Sequence, residues 1–320
     1  MTEAADKHQG MHLSIRYMTK YTYDADVVDN VNALRVRPAS NARQRVEEFS
    51  VRLTPDVRLH RHDDYFGTEV VEFEVTRPHH ELTIDVRAQV TTQAQTQPQG
   101  TTWEALESPA YRAAGGEFFL QTDDAGGHPL LTELHATIRE SPTPLAAVML
   151  VSDLIPDRFE YRPGATYVDS PLRDLLEGGA GVCQDFSHLG LNLLRHHGIA
   201  ARYVSGYLYT TNGHVHGAGP VSTVSMNGRS RGPLESVEVD THAWLEALMP
   251  NDEGEPFWVS IDPTNRGLTG ERHVKIGHGR HYADVPPIKG VYRGTASAQL
   301  EARVTMTPAD GPDPVAAARG

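Results

Sequence analysis

The chain has 320 residues, of which 39% are hydrophobic and 22% charged, with a formal net charge of −13. Its pI near 5.7 and mean hydropathy of −0.44 argue against partners that carry negative charge, so nucleic acid and membrane surfaces are excluded as expected partners. One core rarely fills so long a chain, and two domains, or one with a large accessory, are expected.

The opening MTEAADKHQG lacks the apolar segment of a signal peptide. Residues 11–90 then read as strands. Leu13, Ile15 and Tyr17 alternate with polar neighbours, as do Phe49, Val51 and Leu53, then Val71, Phe73 and Val75, and Leu82 to Val90. RPASN (37–41) and DDYFG (63–67) are turn signals between them, and the polar TTQAQTQPQG (91–100) reads as a linker. Ser141 followed by Pro142 predicts a helix start, with Leu145, Val148, Met149 and Ser152 on one face. The apolar run LAAVMLVSDLI (145–155) is too short to span a bilayer. From Cys183 onward, Phe186, Leu189, Leu193, Leu194 and His197 recur at helical spacing, and Gly198 is a natural stop. ARYVSGYLY (201–209), the stretch 236–248 and PFWVSIDP (256–263) have strand character, and 211–238 is loop-like. The expected division is a β-rich domain over 1–92, a linker and helical connector over 93–140, a core with C-terminal strands over 141–306, and a disordered tail over 307–320.

The chain holds one cysteine, so no internal disulfide is possible, which fits a reducing, cytoplasmic compartment. Cys183 lies in GVCQDFSHLG, at the first turn of its helix. Three readings compete there: a buried small hydrophobe, a metal ligand or a nucleophile. A helix start favours the thiolate through its unpaired N–H groups and the helix dipole. A nucleophile also needs a base, and the base an orienting partner. A hairpin of 242–249 with 255–262 around a loop from Pro250 to Gly254 would set His242 directly opposite Asp262. Short histidine clusters, LHRHDD (59–64) and HVH (214–216), lack the converging ligands a metal requires and read as loops.

These residues resemble a known family. GVCQDFSHL, THAWLEALMP and WVSIDPTN are similar to the Cys, His and Asp motifs of the transglutaminase-like superfamily, a papain-like cysteine fold. YTYDADV (21–27), NALRVRP (32–38), DYFGTEV (64–70), FEYRPGATYVDSP (159–171) and GRHYADVPPIKGVYRG (279–294) resemble its bacterial branch, so the likeness spans about positions 12–305. Three departures stand out: a long 211–238 loop, His281 where an Asp is usual, and Thr241 before the histidine.

The resemblance implies an α+β fold, with a cysteine helix packed on an antiparallel sheet behind a β-rich N-terminal domain. It implies a triad of Cys183, His242 and Asp262 acting through a thioester on a peptide or protein substrate, with no metal and no cofactor. Gln184 is a candidate for positioning an oxyanion, Tyr207 for lining the cleft, and Trp244 for substrate contact or for packing that shields the ion pair. Asp185 reads as a structural cap. Hydrolysis, as a peptidase or amidase, is the expected outcome. Protein-glutamine gamma-glutamyl transfer and a non-catalytic scaffold are the alternatives, and oligomeric state is left open.

Overall fold

The computed structural model describes residues 10–99, 101–122, 125–168, 170–209, 223–225, 241–251 and 253–308. The alternating N-terminal pattern becomes five antiparallel strands: β1 (Met11–Leu34), β2 (Gln44–Thr54), β3 (His60–Asp63), β4 (Glu69–Val75) and β5 (His79–Thr92). Along β1 every odd position from Leu13 to Tyr23 is buried, whereas Asn30, Asn32 and Leu34 are buried at even positions. The change follows from an irregular register between Thr22 and Val27, because an offset in a period-two strand moves side chains to the other face. The first half of β1 pairs with β5 and the second half with β4.

The helical region holds α1 (Pro109–Gly115), α2 (Pro129–Arg139) and α3 (Pro144–Arg158). α3 starts later than Ser141: Thr143 is its N-cap, accepting the Ala146 N–H at 3.1 Å, with Pro144 at the first position. A hydroxyl two residues further on meets the same donor requirement ahead of a proline. The linker also does more than connect. Gln95 donates to the Ser260 carbonyl at 2.5 Å and accepts the Ser260 N–H at 3.1 Å, clasping the edge of the second sheet.

The core follows with β6 (Glu160–Tyr161), α4 (Leu172–Gly178), β7 (Ala180–Gly181), α5 (Cys183–His196), β8 (Ala201–Leu208), β9 (Thr223–Ser225), β10 (His242–Pro250), β11 (Pro256–Ile261) and β12 (His273–Gly279). Four of these strands form an antiparallel sheet in the order β11-β10-β8-β12. α5 is buried nearly all round, between that sheet on one side and α2, α3 and α4 on the other. The fold is thus mixed, with a helix-on-sheet core preceded by a β-rich unit.

The final strands, β13 (Ile288–Arg293) and β14 (Ala298–Pro308), depart from the expected division. They pair with β1, not with the core sheet. β1 is long, and without them one of its edges would present unpaired N–H and C=O groups. Thr307 and Pro308, assigned to the tail, belong to β14; residues 309–320 lie outside the described residues. The two halves meet where Tyr207, Val274 and Ile276 join the first sheet's core. Gln44 bonds both the N–H and the carbonyl of Lys275 there. No helix among the described residues is long and apolar enough to cross a membrane.

Candidate active site

Cys183 opens α5 behind an N-cap, Val182, that has no polar side-chain atom. The cap is supplied in reverse by Asp185 at the third helical position. Its Oδ2 accepts the Val182 N–H at 2.7 Å and the Thr166 hydroxyl. Burial raises the Asp185 pKa, and the bonds from Thr166 and Val182 oppose that rise. Gly181 is required by this arrangement, since a Cβ there would sit 2.8 Å from both Asp185 Oδ2 and Leu175 Cδ1. Ser187 donates to the Cys183 carbonyl at 2.8 Å, and Cys183 itself is only 2% exposed.

The hairpin that carries the other two residues has a register different from the expected one. Its loop is Asn251–Glu255, closed by the pair Pro250↔Pro256, with Leu245 opposite Ile261. Asn251 decides this, because its Oδ1 accepts the N–H groups of Glu253 and Glu255 at 3.0 and 2.8 Å. Every partner moves by two positions, so Asp262 lies diagonal to His242 and not directly opposite. A two-residue offset keeps both on one face, and His242 Nε2 lies 2.7 Å from Asp262 Oδ2. α5 packs on the face of β10 that carries Ala243, Leu245 and Ala247. His242 has the opposite parity but is the first residue of β10. Cys183 and His242 therefore meet at the ends of their elements, not through a shared face.

Asp262 is held from several directions. Oδ2 takes Asn265 Nδ2 at 2.7 Å and His273 Nε2 at 2.9 Å besides His242, while Oδ1 accepts the N–H groups of Thr264 and Asn265 at 2.9 and 3.2 Å. Burial alone would raise its pKa. The charge and hydrogen bond of His242, then the hydrogen bond from His273, push it far below the usual carboxylate range. His242 responds in the opposite direction. Burial lowers its pKa, but Asp262, and after it the Cys183 sulfur, raise it to about 10. Its Nδ1 makes no hydrogen bond of good geometry, and the Cys183 sulfur is the other partner that acts on the ring. The pair is thus an imidazolium and a carboxylate at neutral pH, with the Cys183 sulfur beside the imidazole.

His242, Asp262 and His273 could nominally cage a cation. The hydrogen bonds argue otherwise. His273 Nδ1 accepts the Gly270 N–H at 3.2 Å, so its Nε2 carries the proton it shares with Asp262. His242 Nε2 likewise points its proton at the carboxylate, and no imidazole lone pair faces the centre.

The remaining sequence candidates separate. Trp244 is buried; its indole N–H donates to Ser260 Oγ at 3.0 Å, and its ring stands 6.0 Å from His242 and 5.3 Å from His273. It packs over the ion pair, and Gly206 makes room for it. Gln184 is buried, with its amide committed to the Val168 carbonyl at 2.8 Å. Tyr207 lies elsewhere: its hydroxyl donates to the Val36 carbonyl and its ring packs in the N-terminal core against Tyr17. Tyr203, four residues earlier on β8, is the tyrosine coupled to Cys183; burial and then that sulfur hold its pKa well above normal. His273, Asn265 and Tyr203 escaped the sequence reading. Asn265 lies within the motif WVSIDPTN, and Tyr203 within ARYVSGYLY, which reads only as a strand.

His281 caps a short 3₁₀ turn, its Nδ1 accepting the Ala283 N–H at 3.1 Å, a task an Asp at this position could share. His60, His62 and Asp63 are exposed along β3. HVH (214–216) lies outside the described residues, as does the 211–238 loop apart from β9.

Residues 13–91 match the model of the bacterial transglutaminase-like N-terminal region, and residues 132–263 match that of the transglutaminase-like superfamily. An uncharacterised protein of Mycobacterium leprae is 32% identical over 92% of this chain and 98% of its own length. A second, from Mycobacterium tuberculosis, is 31% identical over 93% of each. The protein-glutamine gamma-glutamyltransferase of Pseudomonas aeruginosa is 28% identical across 52% of this chain and 24% of that protein. Among solved structures, a proposed cysteine protease from Cytophaga hutchinsonii superposes with a TM-score of 0.69 at 22% identity, covering 95% of this chain and 92% of that one. With its motifs, its two matched regions and its fold in agreement, the chain belongs to the transglutaminase-like superfamily.

Proposed function

We propose that this protein is a cysteine acyl-transfer enzyme that cleaves amide bonds in a peptide or protein substrate through a thioester. The observation that carries the reading is His242, a buried imidazole held by Asp262 through Nε2 and acted on by the Cys183 sulfur. In this reading the thiol proton already rests on His242, and Cys183 attacks the amide carbon as the thiolate of that ion pair. The imidazolium then returns the proton to the leaving amine. Asp262 keeps the ring in one tautomer and stabilises its charged form. N–H groups of the first α5 turn, which lack intrahelical acceptors as a class, meet the developing oxyanion.

Water is the acceptor we favour for the second step. Cys183 and His242 are each 2% exposed, and water needs the least room to reach a thioester in such a site. Transfer to an amine is the second reading, supported by the Pseudomonas aeruginosa relative that bears that activity in its name. A reducing, cytoplasmic location suits a mechanism that depends on one unoxidised thiol.

The test is a glutamine-containing peptide offered with and without excess lysine analogue. Release of ammonia and acid that the amine barely diverts, and that vanishes in Cys183→Ala, supports hydrolysis. Amine incorporation outpacing acid formation selects the transferase, and turnover surviving in Cys183→Ala removes the whole proposal.

A further inference from the structure

At the far end of α5 from Cys183 three histidines gather. His196 and His197 close the helix, exposed and half-buried respectively, and meet the buried His135 of α2. The rings of His135 and His196 are 3.9 Å apart, those of His135 and His197 5.5 Å, and those of His196 and His197 5.1 Å. One ring nitrogen from each lies within 4.8 Å of the other two. Two ring nitrogens of the group, His135 Nδ1 and His197 Nε2, are buried with no hydrogen-bond partner. A buried imidazole nitrogen without a partner is costly, and here two of them sit in one cluster.

We propose that His135, His196 and His197 form a binding site for a divalent late first-row metal ion, best suited to Zn²⁺, that ties α2 to the C-terminal end of the cysteine helix. Three nitrogen ligands with water as a fourth satisfy tetrahedral zinc, and imidazole suits zinc better than it suits calcium or magnesium. Metal binding needs neutral rings. Burial, then the neighbouring His196, depress His135 to about 4 and lower His197 as well, so both present lone pairs at neutral pH. The α5 C-terminus adds the negative end of a helix dipole, which favours a cation.

Of the neighbouring arginines, one opposes a metal and one is turned away. Arg139 on α2 lowers both histidines and would oppose a metal. Arg195 is turned away, its guanidinium bonded to the carbonyls of Leu120, Ala201 and Arg280. With zinc–nitrogen bonds of about 2.0–2.1 Å, the three nitrogens must close to about 3.3–3.4 Å apart. His196 is exposed, so its ring has the room to supply that movement.

The experiment titrates the full-length chain with Zn²⁺ against a chromophoric chelator. One equivalent is expected to bind, to raise the melting temperature, and to be replaceable by Co²⁺ with the visible bands of a tetrahedral site. His196→Ala, at an exposed position, should weaken binding by about tenfold or more and remove the thermal shift. His135→Gln should do the same, with circular dichroism confirming that each variant is folded. Cys183→Ala and His273→Ala should bind as the parent does. The site is overturned if no zinc binds at excess, if His196→Ala binds undiminished, or if affinity follows Cys183 or His273.

Discussion

His273 gives its Nε2 proton to the same Asp262 oxygen that holds His242, at 2.9 Å against 2.7 Å. Because its Nδ1 is occupied by the Gly270 N–H, His273 can act on that carboxylate only as a neutral donor. It therefore fixes where Asp262 points without neutralising its charge. A partner one step removed from the imidazole should cost less than Asp262 itself, whose counterpart in serine proteases is worth about 10⁴ in kcat. We expect His273→Ala to reduce kcat by about tenfold, and His273→Gln, which can keep a donor near Oδ2, to recover most of it. Steady-state kinetics decide this, and an unchanged kcat in His273→Ala rules out the positioning role.

The buried ion pair predicts a pH window for stability. His242 has its pKa raised from 6.5 to about 10. Its contribution is complete below pH 6.5 and fades as pH climbs towards 10. Asp262 is depressed from 3.8, so its contribution is complete above that value and fades as pH falls below it. The pair is thus strongest between about pH 4 and 6.5. Urea unfolding of the protein and of His242→Gln should differ most in that interval and converge on the alkaline side. A difference that stays level from pH 6.5 to 10 contradicts the assignment.

A second charge cluster lies on the same sheet. Glu246 Oε2 holds Arg202 Nε and Lys275 Nζ, each at 2.6 Å, and Arg202 stacks 3.8 Å over Trp258. Burial pulls Lys275 down to about 8, with Glu246 working against that fall. Glu246→Ala strands two buried cations and should cost about 3–5 kcal/mol of unfolding free energy. It should also lower the Lys275 pKa further. Chemical denaturation measures the first effect. A loss under 1 kcal/mol would mean that water already compensates the cluster.

Gly206 pairs with His242 across β8 and β10, and a Cβ there would strike the Trp244 indole and the Val274 carbonyl. Overpacking of this kind costs about 1–3 kcal/mol. Since Trp244 lies over His242, Gly206→Ala should lower both melting temperature and activity. A stable variant with normal turnover would show that the indole can move without consequence.

The positions of Cys183, His242 and Asp262 were legible because each sits in a local pattern: a thiol at a helix start, a histidine opening a strand, and a carboxylate closing one before Pro263. Local energies determine such features. Alternation buries one face of a strand, and a helix start demands acceptors for its first N–H groups; at α5 Asp185 supplies one as expected, whereas at α3 the acceptor is Thr143 and not Ser141.

The tertiary structure decided what those elements touch. Asn251 set the hairpin two positions away from the expected pairing. C-terminal strands are expected as part of the core, yet nothing along the chain says that β14 closes β1 from the other end of the molecule. A hydrogen-bond ladder is formed by whichever edge lies beside it, whatever the separation along the chain. The same holds for His273 against Asp262, for Tyr203 beside Cys183, and for His135 meeting His196 and His197. Each contact depends on where packed layers place their side chains, and no spacing in the sequence encodes that distance.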